Sequence, residues 1–179
     1  MLFRKIVVLA LALAVLPLAG AFARGAGGFT WGEQYFMTPY SNADLGARTT
    51  GVYGYSISRG GQRYGGFAMA IHSDEVVPTL DGGFVGAIAG QEMRMGSLMA
   101  AVNLWTGFGG TNMHPLYDVP GSFALFAELS VEVGLAFFPG VMLTGYAGLQ
   151  AMAPILADQG IFDTVLYTPV LGFRVAWGS

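Results

Sequence analysis

Residues 123–137 read FALFAELSVEVGLAF. Taken two at a time, the stretch separates cleanly. Phe123, Leu125, Ala127, Leu129, Val131, Val133, Leu135 and Phe137 are all apolar. Ala124, Phe126, Glu128, Ser130, Glu132, Gly134 and Ala136 carry both charges and most of the small groups. A strand sends successive side chains to opposite faces, so this pattern predicts one greasy face and one polar or small face. A helix fits poorly. A 20-residue apolar helix placed between Val119 and Ala157 would bury Glu128 and Glu132, or else contain the Pro139-Gly140 pair.

The same alternation recurs outward from this stretch. Met99, Ala101, Asn103 and Trp105 alternate with Leu98, Ala100, Val102 and Leu104. Met142, Thr144, Tyr146, Gly148 and Gln150 alternate with Val141, Leu143, Gly145, Ala147 and Leu149. Val170, Gly172, Arg174 and Ala176 alternate with Leu171, Phe173, Val175 and Trp177. Weaker versions occur at Val52–Ser58 and at Gly66–His72, where His72 falls with the small residues. Strands are expected at about 29–37, 48–58, 63–72, 84–93, 97–108, 122–137, 141–152 and 164–177. Long and short connections then alternate strictly. The expected long connections hold Asp44, Asp74, Glu75, Asp81, Asp118, Asp158 and Asp163 and no lysine or arginine. The short-turn end holds Arg59, Arg63 and Arg94, with Arg24 beside it. Each set of loops therefore carries its own sign, as expected when the two sets lie on opposite sides of a membrane.

Composition points the same way. Of 179 residues, 54% are hydrophobic and only 11% charged, with 28 glycines and no cysteine. Such a chain is not disordered, is not a disulfide scaffold, and is not a basic nucleic-acid module. The first 23 residues read as a cleaved secretory signal peptide: Arg4 and Lys5, an apolar run from Ile6 to Leu16, then Ala21-Phe22-Ala23. Residues 24–179 form a single domain.

Strands cross a bilayer only when the sheet closes on itself, because no water there satisfies the backbone. The expected fold is all-β: a closed eight-stranded antiparallel up-and-down transmembrane barrel. Eight strands leave an interior that side chains nearly fill. Aromatic residues near the strand ends form two expected girdles. Trp31, Phe137, Phe173 and Trp177 lie toward the short turns; Tyr35, Phe84, Phe108 and Phe123 lie toward the long loops. Pro169 conflicts with its place inside the last strand, since it cannot donate to a ladder.

In this arrangement, and in the terminal alternation Leu171, Phe173, Val175, Trp177, the chain resembles the eight-stranded outer-membrane barrels of Gram-negative-type bacteria, the OmpX, OmpW and OmpA-barrel class. Gly178 and Ser179 follow the last aromatic, a departure from the usual terminal assembly signal of that class. The resemblance implies an outer-membrane location, lipid and the barrel assembly machinery as partners, and no single activity. Class members serve as anchors, adhesins, narrow channels or lipid enzymes. The role expected here is structural or surface-interacting, without catalysis, cofactor, metal or nucleic acid. An OmpW-like channel for ions or small apolar solutes is the alternative, and a small apolar ligand or a surface partner is left open. An outer-leaflet lipid acyl hydrolase and a soluble secreted ligand-binding barrel rank lower.

Glu128, Glu132 and Arg174 fall on expected inner faces of strands separated by one neighbour, so they are expected to pair across the lumen. His72, Asn103, Ser130, Tyr146 and Gln150 complete the expected polar lining. His72-Ser73-Asp74 has the residue types of a hydrolase, but adjacent strand residues point apart. The acidic loops lack the alternating oxygen ligands of a calcium loop, and the glycine runs lack the strand–loop–helix context of a phosphate site.

Overall fold

The computed structural model describes residues 24–37, 44–73, 79–114, 122–155 and 165–178. The expected signal peptide and most of the acidic loop residues lie outside the described residues. Eight strands run in sequence: β1 (Arg24–Met37), β2 (Asp44–Ile57), β3 (Gln62–Ser73), β4 (Thr79–Met95), β5 (Leu98–His114), β6 (Ser122–Phe138), β7 (Val141–Ile155) and β8 (Leu166–Gly178). Each pairs antiparallel with the next, and β8 closes on β1, giving the expected closed barrel.

The strands overrun their expected ends. β4 takes in Asp81, which the sequence reading had placed in a loop, and β1 begins at Arg24 rather than near residue 29. Hydrogen-bonded pairing continues past the apolar band, where hydropathy no longer marks it. The short turns after β2, β4 and β6 contain Gly61, Gly96 and Gly140, each with positive φ. Pro169 is accommodated simply: the β1–β8 ladder ends at Gln34 opposite Val170, so Pro169 lies one residue beyond it and pairs only toward Leu149 of β7.

The register fixes the barrel's stagger. A line from Asn112 on β5 passes Asp81, His72, Arg48 and Glu33 on β4 to β1. It continues through Leu171, Ala147 and Val131 and returns to β5 at Val102, ten residues below its start. With ordinary strand spacings, that stagger tilts the strands about 40° from the barrel axis.

Inside and outside sort as expected on β5 to β8. Val102, Leu129, Val131, Leu143 and Leu171 are exposed on the outer wall, whereas Trp105, Glu128, Thr144 and Arg174 are buried in the lumen. A register shift between Ala136 and Phe138 leaves both Phe137 and Phe138 exposed at the short-turn end. On β2 and β3 the larger residues turn inward: Tyr53, Tyr55 and Ile57, and Phe67, Met69 and Ile71, are buried. The reason is volume. β6 to β8 deliver Ala124, Gly134, Thr144 and Ala176 to the lumen, so the opposite wall has to supply bulk. Phe67 lies across Gly86 and Gly107, and Tyr146 across Gly172 and Gly32. A Cβ at Gly86 would come within 2.1 Å of the Thr106 carbonyl and 2.7 Å of the Phe67 ring. Those glycines are the floor on which the rings lie.

Candidate functional site: the lumen and its ion network

The lumen has two halves. Toward the long loops it is filled by Ile71, Leu80, Phe84, Phe126, Met152 and Leu166, all buried. Ring centroids of Phe84 and Phe126 are 5.3 Å apart, those of Phe67 and Phe126 5.7 Å, and those of Phe67 and Trp105 5.0 Å. Interlocking tilted rings of this kind leave little free section along the axis.

Toward the short turns the lumen is ionic. Arg174 reaches from β8 to Glu128 on β6 at 2.6 Å and also pairs with Glu132. This is the expected cluster. Three further members were missed by the sequence reading, Arg63, Glu92 and Arg94. Arg63 Nη1 lies 2.7 Å from Glu132 Oε2, and Arg63 Nη2 lies 2.6 Å from Glu92 Oε2. Arg94, at the mouth, pairs with the other oxygen of Glu92. The network is a chain of three carboxylates and three guanidiniums, and its charges cancel. Its buried members have side chains 5% exposed or less. Cancellation and multiple hydrogen bonds are what a buried charge requires, since an isolated one costs several kcal/mol to desolvate.

Neutral groups finish the coordination. Gln150 Nε2 donates to Glu128 Oε2 at 2.8 Å, and Arg63 donates to Asn103 Oδ1 at 3.3 Å. Arg174 donates to Ser130 Oγ at 3.4 Å and to Thr30 Oγ1 at 3.3 Å. The Arg174 guanidinium carbon sits 3.8 Å from the Tyr146 ring centroid and 4.1 Å from that of Trp105. The Arg63 carbon sits 4.4 Å from the Tyr55 centroid. Arginine suits this role because its flat fork hydrogen-bonds in plane while its faces stack on rings. Asn103, Ser130, Tyr146 and Gln150 thus line the lumen as expected. A cavity of about 550 Å³ at the short-turn mouth is bounded by Ile57, Arg59, Gly61, Glu92 and Arg94, among others.

Two expected placements are corrected. His72 is not in the lumen. It faces outward on β3 and pairs with Asp81 of β4 near the long-loop rim. The cause is the inverted face of β3: Phe67, Met69 and Ile71 occupy the inner positions, and His72 takes the other parity. Phe84 is not an outer girdle residue. It is 1% exposed and packs inward on Phe126, because β4 continues to Thr79 and its even positions fill the lumen. Of the remaining girdle positions, Phe108, Phe123, Phe137, Phe173 and Trp177 lie on the outer surface. Trp31 is half-buried and stacks on Phe173 at 5.1 Å, and the side chain of Tyr35 lies outside the described residues. Ser73, next to His72, turns inward and accepts the Leu80 N–H at 3.2 Å, so the two do not meet. Among the described residues no group of three His, Cys, Asp or Glu could hold a metal ion.

Parity could have found Arg63. It shares the odd positions of β3 with Phe67, Met69 and Ile71 and goes wherever they go. Charge balance points to the same residue, because two interior glutamates and one arginine leave a carboxylate without a partner.

With this geometry in view, the fold can be compared with known structures. The barrel superposes on Neisserial surface protein A (NspA) with a TM-score of 0.61 and 10% sequence identity, covering 86% of this chain and 96% of that one. It also superposes on Ail, the attachment invasion locus protein of Yersinia pestis. There the TM-score is 0.55 at 10% identity, covering 88% of this chain and 100% of that one. The fold is that of the eight-stranded outer-membrane barrels. The sequence matches no family model and no curated protein.

Proposed function

We propose that the chain is an integral outer-membrane barrel with a structural or surface-interaction role and a closed lumen. The observation that carries this is the pairing of an apolar outer wall with a plugged interior. Val133 is 65% exposed and Leu171 69% exposed, whereas the large charged groups Arg63 and Arg174 are each 1% exposed inside. That is the reverse of a water-soluble protein and the ordering a bilayer selects. The location also draws support from the two structural neighbours, one named as a surface protein and the other as an attachment invasion protein. Lipid and the barrel assembly machinery are the partners this reading requires. It assigns no catalysis and no cofactor.

One observation favours a second reading, a narrow channel. Asn103 Nδ2, Trp105 Nε1, Thr144 Oγ1 and Gln34 Oε1 are buried along the lumen with no hydrogen-bond partner among the described residues. Groups of this kind accept water readily and could line a thin wet path. Planar-bilayer recording of the refolded protein separates the two. The closed-lumen reading expects no unitary current above background. A reproducible unitary conductance, abolished by plugging the mouth at Arg94, selects the channel. Circular dichroism adds the prior check: a cooperatively melting β spectrum is expected only in detergent or lipid, and one in plain buffer would place the protein among soluble barrels.

A further inference from the structure

The lumen network alternates in sign along its length: Glu128, Arg174, Glu132, Arg63, Glu92, Arg94. Its two ends differ. Glu128, the anionic end, is buried and takes a further hydrogen bond from Gln150. Arg94, the cationic end, stands at the short-turn mouth with its side chain 38% exposed. It is anchored through Nε alone, to Glu92 Oε1, and its two Nη groups have no acceptor among the described residues. Glu92 is fully occupied: its other oxygen accepts from both Nε and Nη2 of Arg63, at 2.8 and 2.6 Å. The free fork of Arg94 therefore points to something outside the network.

Arg94 borders the cavity of about 550 Å³, and Arg59 borders the same cavity. Arg59 is exposed and makes no ion pair, hydrogen bond or ring contact among the described residues. The turn that carries it is nonetheless held. The Gly61 N–H donates to the Ser58 carbonyl at 3.0 Å, and the Gly61 carbonyl accepts the Glu92 N–H at 2.7 Å. The Gly60 carbonyl accepts from Gln91 Nε2 at 2.7 Å. At Gly61 φ is +81°, and an added Cβ would lie 2.2 Å from the Glu92 carbonyl oxygen, so the turn lies close against β4. The six network charges cancel, so Arg59 leaves the mouth with a positive charge that has no counter-charge among the described residues. We infer that this mouth binds a small water-soluble organic oxyanion, a carboxylate or a phosphate ester, held by Arg59 and Arg94. A planar guanidinium receives such a group through two parallel hydrogen bonds. A fork already fixed through its Nε, on a barrel strand, loses little freedom on binding. The cavity volume falls in the range of small-molecule sites, roughly 300–1,000 Å³. Ile57 and Glu92, which also border the cavity, are buried inner-face residues, so it belongs to the lumen and not to the outer wall. The ligand thus arrives from water on the short-turn side, and the ion network is the floor it rests on. The inference does not depend on what covers the outer wall.

Glycerol 3-phosphate and citrate are the probes, titrated calorimetrically at low ionic strength into the protein folded in a non-ionic, phosphate-free detergent. Saturable binding of at least one probe is expected. Arg59→Gln is expected to weaken it about tenfold or more, because it removes charge-assisted hydrogen bonds, and Arg94→Gln is expected to do the same. Arg59→Gln carries the test, since that side chain has no partner to lose and its variant should melt as the native protein does. Arg48→Gln, exposed on the outer side of β2, is expected to bind as the native protein does. No saturable binding of either probe overturns the inference. So does an affinity that Arg59→Gln leaves unchanged, or that Arg48→Gln lowers equally. Phosphatidylglycerol in the same micelles is the lipid arm: binding of it without binding of glycerol 3-phosphate would give these arginines to a headgroup and also overturn the inference. Circular dichroism of each sample, with an intact β spectrum, ensures that a lost heat is lost binding and not a lost fold.

Discussion

Replacing Glu132 with alanine is expected to destabilise the folded barrel by about 3–5 kcal/mol, the usual consequence of removing one partner from a buried ion pair. Glu132 is the link in the network: one oxygen accepts from Arg63 on β3, the other from Arg174 on β8. Without it the lumen holds one uncompensated guanidinium charge, and neither arginine can turn to water, since each is 1% exposed. Arg174→Ala removes the cation that answers both Glu128 and Glu132, so it is expected to fall in the same range. The contrast is Glu33→Ala. Glu33 faces outward, 4.0 Å from Arg48, with both side chains about half exposed. Pairs of that kind contribute at most about 1 kcal/mol. Equilibrium unfolding of the three variants in detergent micelles tests the ordering. If Glu132→Ala unfolds at the same denaturant concentration as Glu33→Ala, the ion network is not what holds the lumen together.

How much of this could be read from sequence depends on the strand. On β5 to β8 every glutamate and arginine, with Asn103, Thr144 and Gln150, falls on one parity, while the other carries no Asp, Glu, Lys or Arg and most of the large aliphatic residues. An apolar outer wall admits only one set, so the faces were legible, and the structure places Glu128, Glu132 and Arg174 in the lumen. In Val52–Ile57 on β2 and Gly66–Ile71 on β3 neither parity carries a charge. Tyr53, Tyr55 and Ile57 alternate with Val52, Gly54 and Ser56, and Phe67, Met69 and Ile71 with Gly66, Ala68 and Ala70. An apolar outer wall admits either face there, and the choice is made by the volume the lumen lacks. That quantity is set by residues on β6 to β8, far away in sequence. His72 was misplaced for this reason and Arg63 missed for the same one. Phe84 failed differently. An aromatic near an apparent strand end reads as a girdle residue, but β4 begins five residues earlier, at Thr79, so Phe84 lies within the strand.

Val131→Arg tests the outer wall as Glu132→Ala tests the inner one. Val131 is near the middle of the 17-residue strand β6 and is 55% exposed. Were the outer surface in water, a charged residue there would change stability by no more than about 0.5 kcal/mol. In a bilayer the same arginine faces hydrocarbon at its midplane, and the expected loss is about 2–4 kcal/mol. Depth supplies the internal control. Phe138, at the short-turn end of the same strand, is 71% exposed and sits at the aromatic girdle. Phe138→Arg is expected to lose only about 0–1 kcal/mol, because near the interface the side chain reaches headgroups and water. Urea unfolding in lipid vesicles measures both. A steep difference between the two positions requires hydrocarbon against β6, whatever task the barrel performs. Two small and equal effects would mean that water wets this wall; the exposed Leu129, Val133 and Leu135 would then need a protein partner instead of lipid.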